Sequence, residues 1–296
     1  MTEDRAPVNG LELAYETIGD PSDPPLLLVM GLGMQLIHWD RELCEQLAER
    51  GFYVIRFDNR DAGLSSKIDA PVPPLIRAMV GLRIDTPYLM EDMADDAFAL
   101  LDHLGIERVH VMAVSMGGMI AQAMAIRHPE RVLSLATIMS TTGERRVGRP
   151  KLRVWGVLLR QAPQEKDAYV NYFVRVFKVI GSPDYPMDER RMREMAAETF
   201  ERNHHAAGTA RQLGAIMASG DRTKLLRQVR VPTVVIHGTD DPLVPFRGGV
   251  ATARAIPDAE LVAIPGMGHD LPRELWPKIV DAVVKNGERA AAAQPA

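Results

Sequence analysis

Cysteine is nearly missing from this chain: Cys44 is the only one in 296 residues, so no internal disulfide can form and no thiolate set can hold a metal. A reducing compartment is the natural setting for such a chain. Charge of one sign is scarce too, since 35 Lys and Arg against 39 Asp and Glu leave a formal net charge of −4 and no field for nucleic acid or an anionic membrane. Long apolar runs are lacking; Arg, Asp or Pro breaks each candidate well short of the roughly 18 residues that span a bilayer. The opening Met1-Thr2-Glu3-Asp4-Arg5 has neither the basic stretch nor the apolar core of a secretory signal. No Cys/His cluster appears, and no glycine-rich helix start carries a phosphate-binding lysine, so neither a metal nor a nucleotide is called for. The expectation is a soluble, cytoplasmic protein whose partner is a small molecule, with no nucleic acid and no membrane span.

With 46% hydrophobic and 25% charged residues the composition is that of an ordinary globular protein, and the length suits one large domain or a domain with an insertion. Leu11 to Glu16 alternates as a half-exposed edge strand does, and Gly19 to Pro25 then enforces a loop. Continuous apolar runs follow at Leu26–Met30, Tyr53–Phe57, Val109–Val114, Val132–Met139, Thr233–His237 and Glu260–Ile264, as expected of strands buried on both faces of a parallel sheet. Helical patterns at Glu42–Arg50, Met93–Leu104, Met119–Arg127, Arg247–Ala255 and Glu274–Val284 separate them. Strand and helix in alternation predict an α/β fold with a mostly parallel, doubly wound sheet.

The alternation stops between Ser140 and about Arg230, where amphipathic helical patterns follow one another without a buried-strand run. This predicts a helical cap over residues 141–230 inserted into a core of residues 1–140 and 231–287. Tyr169, Tyr172, Phe173, Val176, Phe177 and Ile180 recur at helical spacing and give the cap an apolar face, to which Trp155, Leu158 and Leu159 add. Arg145, Arg146, Arg149, Lys151 and Arg153 read as a solvated basic face. The alanine-rich stretch 288–296 is expected to be a disordered tail.

The stretch that organises the chain is Val109-His110-Val111-Met112-Ala113-Val114-Ser115-Met116-Gly117-Gly118, an apolar β run that meets a serine, two glycines and a helical pattern. A serine hydroxyl is a weak nucleophile, and lifting it onto such a turn beside amide donors is how a fold puts one to use. The pattern differs from G-x-S-x-G only in Ala113.

With this turn the sequence resembles the α/β-hydrolase family over nearly its whole length. The serine turn, Leu28 to Gly33, Arg56 to Asp61 and Ile264 to His269 look like cofactor-free esterases related to anthracycline methylesterases. The family's order of nucleophile, acid and base points downstream. His237-Gly238-Thr239-Asp240-Asp241-Pro242 ends an apolar run in two carboxylates, and the resemblance gives the acid to Asp241 and a turn-capping part to Asp240. His269, after the last apolar run and on Pro265-Gly266-Met267-Gly268, is the candidate base, while His237 and His110 are expected to be packed core histidines. The resemblance further implies an oxyanion hole from the backbone N–H groups of Leu32 and Met116, with Met30 standing where many relatives have histidine. Asp58-Asn59-Arg60-Asp61-Ala62-Gly63-Leu64-Ser65 resembles the family's Asp-x-Arg-Gly-x-Gly-x-Ser loop, Asp61 replacing a glycine, and reads as a structural brace.

The implied activity is that of a carboxylesterase acting on small-to-medium apolar esters. Lactone opening, carbon–carbon cleavage of a diketone and peracid formation use the same apparatus and remain open. So does a ligand receptor on a hydrolase scaffold, which turnover of an activated ester separates from an enzyme.

Overall fold

The computed structural model describes residues 3–79, 82–158, 160 and 162–292. The apolar runs become strands: β1 (Asp4–Val8), β2 (Leu11–Ile18), β3 (Pro25–Val29), β4 (Tyr53–Phe57), β5 (Val109–Val114), β6 (Val132–Ile138), β7 (Thr233–Gly238) and β8 (Glu260–Ile264). They form one sheet in the order β1-β2-β4-β3-β5-β6-β7-β8, antiparallel at β1, β2 and β4 and parallel from β4 to β8. The helices are α1 (Arg41–Glu49), α2 (Leu75–Met79), α3 (Met90–His103), α4 (Met116–Arg127), α5 (Leu152–Leu158), α6 (Lys166–Ile180), α7 (Glu189–Asn203), α8 (Ala206–Ser219), α9 (Thr223–Leu226), α10 (Phe246–Ala255) and α11 (Trp276–Ala292).

The uninterrupted apolar strands have a direct cause. Leu27, Val29, Ile55, Val111 and Ala113 face one apolar layer with α3 and α4, whereas Leu26, Leu28, Val54, Met112 and Val114 face a second with α1 and α11. Successive side chains point to opposite faces, and both faces are covered, so most positions are apolar; the buried Arg56 of β4 is paired with Glu16 of β2. The sheet is the expected mostly parallel, doubly wound one.

Three expectations need correction. The stretch Leu11–Glu16 is not at the edge, because β1 pairs with β2 and takes that place. Asp4, Arg5 and Pro7 of β1 face solvent and leave only Ala6 and Val8 as an inward signal. At the far side β8 is itself an edge, and its outward positions are open, Leu261 being 38% exposed, so it is not buried on both faces. The supposed disordered tail is helical as far as Ala292, with Ala290 buried, because alanine is the best helix former once an apolar contact anchors the turn. The remainder of that stretch, 293–296, lies outside the described residues.

Helices α6, α7 and α8 form the cap, inserted between β6 and β7. The apolar face of α6 is spent on two small cores. Tyr169 and Phe173 pack with Ala196, Phe200 and Met34, and Ile180 packs with Val154, Val157 and Leu243. Leu159, expected on the same face, lies outside the described residues. Arg145, Arg146, Arg149, Lys151 and Arg153 are exposed, as a solvated face should be.

The seam between cap and core is ionic and buried. Asp61 takes a positive φ of 68°, a conformation that glycine enters freely and that other residues enter at a cost. Its carboxylate accepts two bonds from Arg211 of α8, at 2.7 and 2.8 Å, one from the Tyr88 hydroxyl and one from the Ile68 amide. Burial pushes the Asp61 carboxyl up, and Arg211 outweighs it and holds it below the ordinary value. Beside it Asp58 accepts from the Leu36 and Leu64 amides and from Arg202 at the end of α7. Arg60 is tied to Asp96 at 2.5 and 2.7 Å and is part of the brace. Removing one partner of a buried pair strands the other charge, so Arg211→Met should lower the unfolding free energy by about 3–5 kcal/mol in urea titrations. A loss below about 1 kcal/mol would show that Asp61 finds compensation elsewhere.

Candidate active site

At the tip of β5 the chain turns so sharply that Ser115 adopts φ 54° and ψ −119°, a region that a non-glycine residue holds only under constraint. The constraint is visible. The Ser115 amide donates to Ile138 O at 2.9 Å, and its carbonyl accepts from the Ser140 hydroxyl at 2.7 Å. A Cβ on Gly117 would lie 2.1 Å from Val29 O, so α4 can start this close to β3 only with glycine there. The serine side chain is thereby lifted off its strand beside the positive end of α4. Ala113, where the serine pattern has glycine, is accommodated in β5 with no exposure.

The acid and base stand on neighbouring strand ends. Asp241 follows β7 and is fully buried, its Oδ1 accepting from the Leu243 and Val244 amides at 2.8 Å each. His269 follows β8, with Nδ1 2.7 Å from Asp241 Oδ2 and Nε2 3.0 Å from Ser115 Oγ. A carboxylate only accepts, so Nδ1 carries the proton toward Asp241 and the Nε2 lone pair faces the serine hydroxyl. Burial raises the Asp241 carboxyl, but His269 and His237 outweigh it and hold it down at about 2. It is therefore charged throughout the neutral range.

Asp240 points elsewhere. Its Oδ2 accepts from the Gly266 amide at 3.1 Å and the Thr239 hydroxyl at 2.7 Å, bracing the loop that carries His269. His237 and His110 are buried as core residues, bonded to Val244 O and to Ser134 Oγ respectively. His237 has one contact that its sequence position does not reveal: Nε2 lies 3.6 Å from Asp241 Oδ2.

The loop after β3 runs along the serine, where a Cβ on Gly31 would sit 3.2 Å from Ser115 Cβ. The N–H groups of Leu32 and Met116 have no partner among the described residues. Met30 offers no polar side chain; Asn59 Nδ2 supports the loop instead, donating to Met30 O at 3.1 Å. From the other side the cap holds it. Gln212 of α8 accepts from the Gly33 amide and donates to Arg60 O, both at 2.8 Å. Gln35 donates to Thr199 O and accepts from Arg202.

His38 closes this seam. Its Nδ1 faces both the Gln35 amide at 3.0 Å and the Gln35 carbonyl at 3.1 Å, and Nε2 meets Thr199 Oγ1, itself a donor to Met195 O; a neutral Nε2–H ring accepts from the amide and donates to Thr199. Gln212, Thr199 and Gln35 escaped sequence reasoning because their partners lie far along the chain and no local spacing marks such a pairing. Among the described residues no cluster of His, Cys, Asp and Glu could hold a metal ion, and no helix is long and apolar enough to cross a membrane.

A family model described as alpha/beta hydrolase fold matches residues 24–272. Rhodomycin D methylesterase of Streptomyces peucetius is 28% identical over 90% of this chain and 92% of its own. A bifunctional esterase/perhydrolase of Acinetobacter calcoaceticus is 25% identical, covering 89% of this chain and 91% of its own. Among solved structures, the enol-lactonase of Burkholderia xenovorans superposes with a TM-score of 0.75 at 25% identity, over 96% of this chain and 99% of that one.

Burial pushes the His38 imidazole down to about 4, with the charge of Arg202 adding to the effect. An unfolded histidine takes its proton near 6.5, so between about 6.5 and 4 the unfolded chain binds more protons at this site and stability falls as pH falls. His38→Gln should flatten the decline of the urea midpoint between pH 7 and pH 5. An unchanged slope would place the titrating group elsewhere.

Proposed function

The chain belongs to the alpha/beta hydrolase fold family, and from that premise we propose that it is a cofactor-free serine hydrolase of carboxylic esters, acting on small-to-medium apolar substrates through an acyl-enzyme. The observation that carries this reading is the unbroken chain from Ser115 Oγ to His269 Nε2 and from His269 Nδ1 to Asp241 Oδ2, at 3.0 and 2.7 Å. Ser115 attacks the ester carbonyl carbon as His269 Nε2 takes its proton. Asp241 keeps the ring in the tautomer that can accept it and stabilises the imidazolium. The carbonyl oxygen, now negative, meets the N–H groups of Leu32 and Met116, each worth about 3 kcal/mol in such a site. His269 returns the proton to the leaving alkoxide. Water then repeats the sequence on the acyl-enzyme and frees the acid.

The apolar substrate class is supported by the character of the loops that carry these groups. Leu32 itself, and Met34, Leu243 and Leu271, each two residues along the chain from Leu32, Asp241 or His269, are apolar and partly buried. Rhodomycin D methylesterase, by its name, acts on a methyl ester, the bond class that these steps cleave. An enol-lactone is a cyclic enol ester whose leaving enolate stays tethered to the acyl group, so the same steps open it. Similarity to an enol-lactonase makes that the second reading.

Ser115→Ala should abolish labelling by a serine-directed phosphonate and lower kcat about 10³-fold or more. Asp241→Asn should cost on the order of 10²-fold or more with little change in KM, and Asp240→Asn under about tenfold. Label on another residue, or the reverse ranking of the carboxylates, overturns the assignment. In a series of p-nitrophenyl esters kcat/KM should rise about three- to fourfold per added carbon, since each buried methylene is worth about 0.8 kcal/mol, until the cap is met. A flat response from acetate to octanoate refutes the apolar substrate class.

A further inference from the structure

The loop that carries His269 is fastened to the cap at three successive residues. The Gly268 amide donates to Ser182 Oγ at 2.8 Å, and the His269 amide donates to Ile180 O at 2.8 Å. The Ser182 hydroxyl donates to Asp270 Oδ1 at 2.5 Å, and the Ser182 amide also bonds this carboxylate. Ser182 follows the end of α6, so one hydroxyl accepts from the residue before the histidine and donates to the residue after it. The fit is tight: a Cβ on Gly268 would lie 2.3 Å from Gly181 O, and one on Gly181 would lie 2.5 Å from Phe177 O. On the core side the loop is held one turn earlier. Asp240 takes the Gly266 amide, and Met267 O accepts from the Asp240 amide. His269 itself is bonded through its backbone to the cap and through its ring to Asp241 and Ser115.

We propose that Ser182 is a positioning residue for His269, and that the seating of α6 on the loop after β8 sets the base's distance to Ser115. The inference rests on the proposed part of His269 as base. A hydroxyl is suited to the task because it accepts one bond and donates another in fixed directions. Methyl and glycine side chains do neither. The Oγ–Nε2 distance of 3.0 Å lies within the roughly 2.6–3.2 Å reach of a general base, and a shift of the loop by about half an ångström would carry it outside. The cap is thereby a structural part of the catalytic arrangement as well as a cover for it.

The test uses the full-length enzyme with Ser182→Ala, Ser182→Thr and Ser182→Cys. Ser182→Ala should lower kcat for p-nitrophenyl acetate by about 10- to 100-fold, the range that follows from displacing a catalytic group, while KM stays within about twofold. The far-downfield proton resonance of a histidine N–H bonded to a buried carboxylate should broaden or vanish. Ser182→Thr keeps the hydroxyl and should recover most of both signals. If the alanine variant does not fold, Ser182→Cys, close in shape but a weak donor, carries the same comparison. Parent-like kcat and an intact resonance in Ser182→Ala, or a threonine variant no better than alanine, overturns the proposal. Should Ser115→Ala retain full hydrolysis, the esterase reading fails separately, and the resonance alone decides whether Ser182 positions His269.

Discussion

Backbone hydrogen bonds continue past the ends of the parallel strands, and the candidate site depends on them. The Ser115 amide reaches Ile138 O, the Met139 amide reaches Ile236 O, and the Thr239 amide reaches Ile264 O. Each bond lies where one strand gives way to its loop, so the ladder from β5 through β6 and β7 to β8 holds the tips level. A parallel sheet gives all its loops after the strands the same edge, and residues separated by more than 150 positions meet there without any contact between their own elements. Ser115 and His269 are 154 positions apart and stand 3.0 Å from each other. The strain at Ser115 is sustained by this frame. The glycines at 117 and 118 let the frame close tightly around it, and neither would tolerate even one methyl group without moving Val29 or Ser140.

The cap is joined to that edge by buried polar contacts in addition to the apolar contacts of Met34 and Leu243. Asp58 with Arg202 and Asp61 with Arg211 are pairs whose charges had to be desolvated, and burying ions is a poor way to gain stability. What such pairs do supply is direction. A guanidinium gripping a carboxylate through two bonds fixes the orientation of a helix in a way that sliding apolar surfaces do not. The loop of residues 58–65, braced from both sides, in turn supports the chain after β3 through Asn59 and Leu36. Gln212 and Gln35 add neutral bonds at the same seam. The cap's orientation is therefore transmitted to the loop after β3 and, through Ser182, to the loop after β8.

The strands and the tips that carry Ser115, Asp241 and His269 were legible in the sequence, because burial on both faces demands uninterrupted apolar residues and sharp turns demand glycine. Sheet edges were less legible. β1 has only two inward side chains, and β8 looks like a buried strand although one row of it meets solvent. The end of α11 was hidden by composition: a run of alanines resembles a featureless tail until Ala290 is seen to be buried. The cap's helices could be recognised as amphipathic, but not which apolar residues pack against one another inside the cap and which reach Met34 or Leu243 of the core. Polar contacts such as Gln212 with Gly33 leave no trace in sequence periodicity. Asp61 lies between these cases. Its substitution for glycine was visible, and the reason it is tolerated, a guanidinium arriving from α8, was not.

Met34 shows how the apolar and polar parts of the design are joined. It packs against the main layer that contains Leu28 and Met112, and also against Tyr169 and Phe173 of the cap. The residue that follows it, Gln35, is buried and bonded to Thr199 and Arg202. One dipeptide thus gives the cap an apolar seat and a directional lock, two positions beyond Leu32, whose amide has no partner among the described residues. An amide donor in such a site is useful only if it does not turn toward another acceptor when no substrate is bound. Here the flanking Gly31 carbonyl is engaged by the Met34 amide and the Gly33 amide by Gln212, so the peptide at Leu32 is held from both sides. The orientation of the peptide at Leu32, the proposed oxyanion donor, is thus held from the core by the Met34 amide and from the cap by Gln212 of α8.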